Sequence, residues 1–336
     1  MIALKKNIIN LLYIASLSIL FCNLYSCQKE VKNIDFHDRS QLFTDNWMFF
    51  QNDTVHKLTD ALNSKSWDSI DVPHDWSIYN HFDKKSPAGV GGGALSGGIG
   101  YYKKTFFVPH KDSTRLYKIQ FDGIYQNSEV WINGNYLGKR PNGYIGFEYD
   151  LTPYLSYGSS ENIIVVKADN SDQPNSRWYS GSGIYRNVWL KKLNKIHVPQ
   201  WGTFVTTPLV SKEKATIKLN AEIKNEFSKD QEISAQMIIF QDSVEIGKST
   251  PSKLHISANS ELQIEKKITL ENPEFWSVDT PNLYIARLEI IQNDEIIDRY
   301  DTQFGIRDFE FDLEKGFILN GESLKYNPHD FTLPRL

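Results

Sequence analysis

The sequence has 336 residues, enough for two domains of about 150 residues and a small remainder. Its charge is almost balanced, with 37 basic and 41 acidic side chains. The sequence has no basic patch, which argues against nucleic acid as a partner. The only two cysteines, Cys22 and Cys27, lie near the N-terminus, so the rest of the chain can form no disulfide and no cysteine-ligated zinc site. Residues that could bind a metal do not cluster in the sequence, so we predict no metal and no other cofactor.

Residues 1–27 have the pattern of an export signal. Two lysines at positions 5 and 6 precede a mostly apolar stretch at 8–21, and small residues follow. That stretch is short for a membrane span, which needs about 20 apolar residues. The segment LYSC at 24–27 resembles a bacterial lipobox, which implies cleavage before Cys27 and lipidation of its thiol. An ordinary secretory signal is the alternative. Either signal predicts export to the periplasm or cell surface, and the lipidated form would touch the membrane only through its anchor.

Residues 34–200 are predicted to form one all-β domain. Short strands alternate with turn residues and no long helical period intervenes, which favours a jelly-roll sandwich. One hairpin is specified locally, because Asn133-Gly134 supplies the positive φ angles that a type I′ turn needs. The predicted strands lie at 47–50, 101–108, 116–121, 129–132, 163–168 and 188–192.

Two loops of this domain contain residues that could support chemistry. Residues 71–77, DVPHDWS, place His74 and Asp75 beside Trp76, but such an isolated pair is most often a satisfied turn and seldom catalytic. Residues 89–100 contain seven glycines. They are followed by a strand rather than by Lys-Ser/Thr and a helix, so neither a P-loop nor a dinucleotide fingerprint applies. We expect a mobile loop there.

The segment 169–190 is a polar loop between two predicted strands. Asn, Asp, Ser and Gly dominate it, and five large side chains are set among them: Arg177, Trp178, Tyr179, Tyr185 and Arg186. On a surface loop, such side chains stack on a ligand or wedge two structural units together. The spacing also fits a packed loop that steadies the sandwich, so both interpretations stay open.

Residues 201–311 have a different amino-acid composition. Aromatic residues become fewer, Lys, Glu and Ser become more frequent, and alternating strands are predicted at 215–223, 233–240 and 262–270. About 110 residues of this kind predict an immunoglobulin-like β-sandwich. The Asn225-Glu226 pair lies inside this strand pattern, which argues against a catalytic role for Glu226.

Several segments, taken together and in order, resemble one enzyme family. They are VPHDW at 72–76, NSEVWING at 127–134, YIGFEYDLTP at 144–153, WYSGSGIYR at 178–186, EFWS and TPNLY within 274–284, FGIR at 304–307 and GFILNG at 316–321. This order is similar to that of glycoside hydrolase family 2, which includes β-galactosidases and β-glucuronidases. The resemblance covers about residues 36–325.

The resemblance implies a galactose-binding-like jelly roll, an immunoglobulin-like spacer and then a catalytic barrel. In the family, two glutamates at the ends of barrel strands remove a terminal sugar by double displacement. A (β/α)₈ barrel needs about 250 residues, whereas residues 312–336 hold only a truncated linker into it. His329-Asp330 matches the start of the first barrel strand imperfectly. We therefore expect a non-catalytic portion, with no catalytic residue and no activity alone.

The resemblance also implies which residues meet the sugar. The jelly roll would lend a loop to the mouth of the barrel pocket, and its candidate contacts are Asn175, Ser176, Arg177 and Trp178. The partners would be a terminal sugar of an oligosaccharide or polysaccharide and the missing barrel. The alternative is a standalone exported carbohydrate-binding lipoprotein without catalysis. Uncovered apolar surface facing the barrel would favour the first hypothesis.

Overall fold

The computed structural model describes residues 39–324, except 56 and 65. The predicted signal peptide, the lipidation site Cys27 and the His329-Asp330 pair lie outside these residues. Within the described part of the chain, no helix has the length and apolar character needed to cross a bilayer. The predicted all-β fold is confirmed, since two β-sandwiches follow one another along the chain.

The first sandwich consists of a four-stranded and a six-stranded antiparallel sheet. Its strands are β1 Ser40–Leu42, β2 Trp47–Gln51, β3 Asp68–Ile70, β4 Gly98–Phe106, β5 Leu116–Phe121, β6 Ser128–Ile132, β7 Asn135–Arg140, β8 Phe147–Asp150, β9 Asn162–Asn170 and β10 Val188–Leu193. The strand orders are β1-β10-β5-β8 and β3-β2-β4-β9-β6-β7. The helices are α1 Leu58–Leu62 and three 3₁₀ turns, Trp76–Tyr79, His110–Asp112 and Thr152–Tyr154.

The core of this sandwich lies between its two sheets, because alternate residues of each strand face inward. Trp47, Tyr102, Ile119 and Val166 are among its fully buried members. A second, smaller core forms on the outer face of the six-stranded sheet, where Ala61 of α1 belongs to a buried cluster with Ile99, Tyr101 and Val165. The central strands β4 and β9 are therefore buried on both faces, which a simple alternating pattern does not predict.

The predicted hairpin is confirmed. Asn133 and Gly134 connect β6 to β7 with φ angles of 49° and 81°, which only Asn, Asp and Gly adopt readily.

The second sandwich is built from nine strands. They are β11 Ile196–His197, β12 Thr203–Val210, β13 Lys214–Asn225, β14 Gln231–Gln241, β15 Val244–Lys248, β16 Ser252–Ile256, β17 Ser260–Glu271, β18 Tyr284–Gln292 and β19 Glu295–Phe304. In one sheet β13 pairs with β11 and β12 on one edge and with β17 on the other, and in the second sheet β14 and β18 are central. A short β-meander follows, made of β20 Phe309–Asp312, β21 Gly316–Leu319 and β22 Glu322–Ser323.

Strand β13 shows how directly the sequence specifies this part of the fold. Its residues alternate without a break between the core and the sheet surface, as a half-buried strand requires. At its end, the Asn225 side chain is buried and donates hydrogen bonds to the carbonyl oxygens of Lys229 and Ser257, at 3.0 and 2.9 Å. Asn225 therefore has a structural role next to Glu226.

The two sandwiches are joined through a polar junction. Ile196 and His197, close to the predicted domain limit at 200–201, pair with β13 of the second sandwich. Arg39, from the first sandwich, forms an ion pair of 3.0 Å with Asp298 on β19 and donates to the carbonyl of Val198 at 2.7 Å. The backbone N–H of Val198 also donates to Asp298.

Candidate functional site

The loop between β9 and β10 is held from beneath by one buried side chain. Asn170, which is 2% exposed, ends β9 and donates to the carbonyl of Gly181 at 3.1 Å and to the hydroxyl of Ser182 at 2.8 Å. Its own carbonyl accepts from the amides of Asn175, at 2.7 Å, and Gln173, at 2.9 Å. A buried amide with both its donor and acceptor groups satisfied fixes the loop backbone relative to the sheet.

A second anchor is Asp75. It caps the 3₁₀ turn Trp76–Tyr79 by accepting from the N–H of Ser77, at 3.0 Å, and the same oxygen accepts from the N–H of Ser182, at 2.8 Å. Its other oxygen accepts from the Tyr179 hydroxyl at 2.5 Å. Burial and the Asp75 carboxylate raise the pKa of Tyr179 well above its usual value, so the phenol stays protonated and donates.

His74 and Asp75 do not act as a pair. The Nδ1 atom of His74 lies 2.9 Å from the hydroxyl of the buried Tyr102, and Asp75 is occupied by the turn and the loop. The interpretation of residues 71–77 as a satisfied turn is confirmed. Burial lowers the pKa of His74, and Asp75 opposes that change only partly, so the imidazole is neutral at pH 7.

The four predicted contact residues are adjacent in the loop but differ in whether their side chains are already hydrogen-bonded within the protein. The amide of Asn175 is used inside the protein, because it donates to Asn170 and accepts from the hydroxyl of Tyr125 at 3.3 Å. The Ser176 hydroxyl donates to the carbonyl of Trp178 at 2.5 Å. Arg177 is exposed and makes no hydrogen bond or ion pair with any described residue. Trp178 is 60% exposed.

Two further segments shape the surface of the site: Tyr144, which the sequence did not mark as a site residue, and the glycine-rich loop, which the family resemblance predicts to approach the sugar. The indole N–H of Trp178 donates to the hydroxyl of Tyr144 at 3.1 Å, which fixes the plane of the ring. The glycine-rich loop lies alongside, since a Cβ added to Gly91 would lie 3.4 Å from the Cα of Arg177, and one added to Gly93 would lie 3.5 Å from the ring of Tyr179. Nothing in the local sequence marks the contact between Trp178 and Tyr144, because it joins separate loops.

The site therefore has a rigid base and an open tip. Its base is a buried network centred on Asn170 and Asp75, and its tip presents an unpaired guanidinium and a largely exposed indole. Among the described residues, no three His, Cys, Asp or Glu side chains lie close enough together to hold a metal ion.

Comparison with known proteins places both sandwiches in one family. Residues 45–194 match the model of the glycosyl hydrolase family 2 sugar-binding domain, and residues 196–307 match a second domain model of glycosyl hydrolases family 2. This chain belongs to glycoside hydrolase family 2. The candidate loop therefore lies in the sugar-binding domain of this family 2 chain.

Relatives of the family 2 chain include a β-galactosidase of Bacteroides ovatus, BoGH2A, which is 43% identical over 85% of this chain and 33% of its own length. A β-glucuronidase of Formosa agariphila is 29% identical over 84% of this chain and 31% of its own length. The chain thus spans about a third of the length of these curated relatives.

Solved structures show the same architecture as the family 2 chain. A family 2 member from Bacteroides cellulosilyticus superposes with a TM-score of 0.81 at 32% identity, covering 85% of this chain and 38% of its own. A β-glycosidase from Bacteroides vulgatus gives 0.75 at 36% identity, with coverages of 85% and 36%.

Proposed function

We propose that this chain is the carbohydrate-recognition portion of an exported, β-galactosidase-like family 2 glycosidase. The hydrolytic chemistry would belong to a catalytic barrel, and this portion would present Asn175, Ser176, Arg177 and Trp178 to the sugar. The single observation that carries the proposal is the fixed loop with an open tip in the sugar-binding domain. A loop held in one conformation loses little entropy when it binds, so its exposed groups can contribute to affinity.

The roles of the four residues follow from their surroundings. Trp178 has its ring plane fixed by Tyr144, and its exposed face suits the apolar face of a pyranose. Arg177 supplies unpaired N–H donors for sugar hydroxyl groups. Asn175 and Ser176 are already hydrogen-bonded within the protein, so their main contribution is to set the backbone position of the other two.

Exposed apolar surface on the β-meander that follows the second sandwich supports a docking face for the barrel. The rings of Phe309, Phe311 and Phe317 are in mutual contact with centroid separations of 5.3–6.4 Å, although Phe309 and Phe311 are exposed. Two cavities of about 690 and 250 Å³ lie beside them and share Trp276, Arg307 and Phe309. Clustered exposed aromatic side chains of this kind are typical of interfaces.

The export proposal rests on residues 1–27 alone. We propose a lipid attached through Cys27 and a location in the periplasm or at the cell surface. Expression of the full sequence in a bacterium with labelled palmitate should give a labelled chain, and Cys27→Ala should remove the label. A labelled Cys27→Ala chain would contradict this assignment.

The recognition role is tested by measuring the affinity for methyl β-galactoside. We expect Trp178→Ala to weaken binding about tenfold, because one aromatic contact of this size is lost. Trp201→Ala is the matched control, since Trp201 is also an exposed tryptophan but lies at the start of the second sandwich. Equal affinities for the two variants would refute a sugar contact at Trp178.

The non-catalytic role is tested by activity. The purified chain should hydrolyse no nitrophenyl galactoside, glucuronide or mannoside above the buffer rate, and turnover that persists after repurification would contradict the proposal. A chimera in which these sandwiches replace those of an active family 2 β-galactosidase should hydrolyse the galactoside. Trp178→Ala in that chimera should lower kcat/KM about tenfold or more.

A further inference from the structure

The first sandwich also contains a cleft that is separate from the loop with residues 175–178 and has no role in the proposed function. It has a volume of about 470 Å³, typical of small-ligand sites, and lies between the edge strand β3, its neighbour β2 and the 3₁₀ turn Trp76–Tyr79. None of its lining residues belongs to the 175–178 loop. The lining residues that could meet a ligand include Phe49, Asp68, Asp71, His74, Trp76 and Tyr79.

The cleft is lined by a buried histidine, and one of its ring nitrogens has no hydrogen-bond partner in the described structure. His74 is only 9% exposed. Its Nδ1 atom is engaged by the Tyr102 hydroxyl. The Nε2 atom has no hydrogen-bond partner among the described residues, yet it is not sealed from solvent. A polar atom in this position is usually paired, and a ligand hydroxyl can pair with it in either tautomer because a hydroxyl both donates and accepts.

Aromatic rings form the apolar part of the cleft. The Phe49 ring centroid lies 4.7 Å from that of His74, and Phe49 also stacks on Trp76 at 5.5 Å. Tyr79 lies nearly parallel to the imidazole, at 5.8 Å and 25°, yet remains 73% exposed. One face of the Tyr79 ring is thus supported by His74, while the residue as a whole is open to a ligand.

Polar groups at the cleft select the class of ligand. The Asp68 carboxylate has no hydrogen-bond or ion-pair partner in the described part of the chain, and Asp71 uses one oxygen to accept from the N–H of Asn46. Among the described residues that line the cleft there is no lysine or arginine, although the Lys104 ammonium lies near enough to Asp71 to interact with it electrostatically. Two carboxylates with one cation near them leave the cleft with a net negative charge, which disfavours an anionic ligand, whereas carboxylates accept hydrogen bonds well from neutral hydroxyl groups.

We propose that this cleft is a second carbohydrate site, which binds a neutral pyranose with Tyr79 against the sugar face and His74 Nε2, Asp68 and Asp71 paired with its hydroxyl groups. It does not depend on the 175–178 loop, so each site can fail without the other. A sugar domain with two such sites could hold two units of one oligosaccharide or two separate chains.

The test is a ligand-observed NMR titration of the full chain with methyl β-galactoside. The chains compared are the unchanged one, Tyr79→Ala, Trp178→Ala and the double variant. We expect each single variant to lose one of two binding events, with about tenfold weaker affinity at the altered site, and the double variant to lose both. Tyr154→Ala is the matched control, because Tyr154 is an exposed tyrosine of the same sandwich outside both sites.

Charge gives an independent readout. Methyl β-glucuronide should bind the cleft more weakly than the galactoside, and Asp68→Asn should strengthen glucuronide binding more than galactoside binding. The cleft proposal is overturned if Tyr79→Ala binds galactoside as tightly as Tyr154→Ala, or if the unchanged chain binds no neutral sugar. A loss confined to Trp178→Ala would overturn the cleft and retain the loop, and a loss confined to Tyr79→Ala would do the reverse.

Discussion

His197 at the junction of the sandwiches should make the stability of this protein depend on pH. The side chain is 0% exposed, and neither ring nitrogen makes a well-formed hydrogen bond within the described structure. Burial is the main cause that lowers the pKa of His197 to about 3, and the positive charges of Lys118, Arg39 and Lys224 add to it. The Asn194 backbone, which acts in the opposite direction, is a smaller influence.

The sign and size of the effect follow from linkage. As the pH falls below about 6.5, the unfolded chain protonates this histidine, but the folded chain does so only near pH 3. The unfolded state therefore binds more protons in this range, and the free energy of unfolding falls as the pH falls. At about 1.4 kcal/mol per pH unit below 6.5, the loss between pH 7 and pH 5 is about 2 kcal/mol.

The assay is urea unfolding of the full chain at pH 7 and at pH 5, monitored by tryptophan fluorescence. His197→Phe removes the titrating group, so its loss of stability between the two pH values should be about 2 kcal/mol smaller than that of the unchanged chain. Glu226, whose carboxylate lies 3.9 Å from His197, also titrates, and burial raises its pKa. Because the two side chains are in contact, Glu226→Gln is added to both chains, and that comparison isolates the histidine.

The exposed His81 provides the control, since His81→Gln makes a similar chemical change away from the junction. If His197→Phe unfolds too readily to measure, His197→Gln serves the same purpose. The reasoning is refuted if the chains with and without His197 lose the same stability between pH 7 and pH 5.

Three further substitutions should report on other contacts in equilibrium unfolding. Gly183→Ala should lower the free energy of unfolding by about 3 kcal/mol or more, because φ is 115° and the new Cβ would lie 2.1 Å from the Tyr102 hydroxyl. The control is Gly134→Ala, where φ is also positive but the Cβ would enter open space, and it should lower the free energy of unfolding by only about 1–2 kcal/mol. Asp75→Asn should cost about 1–3 kcal/mol by weakening the loop anchor, and an unchanged midpoint would contradict that role. Arg39→Met should cost about 3 kcal/mol by leaving the buried Asp298 carboxylate without this cation, and adding Asp298→Asn should recover part of the loss.

Local sequence determined the main elements of this protein. Strands such as β13 follow from a strict two-residue alternation, and the β6–β7 hairpin follows from the backbone preferences of Asn133 and Gly134. These features depend on a residue and its immediate neighbours, so they can be found in the sequence directly. The family motifs likewise identified two sandwiches and directed attention to the loop that contains Trp178.

The contacts that individual side chains make in the site were decided only by the tertiary structure. Asp75 looked like half of a His-Asp pair, but it anchors Ser182, 107 positions further along the chain. Asn175 stays a predicted sugar contact, and only the structure shows that its amide is also bonded to Asn170 and Tyr125. His74 borders a cleft together with strands β2 and β3. Hydrogen bonds and burial of this kind arise when distant segments pack together, and no local pattern of residue types encodes which partners will meet.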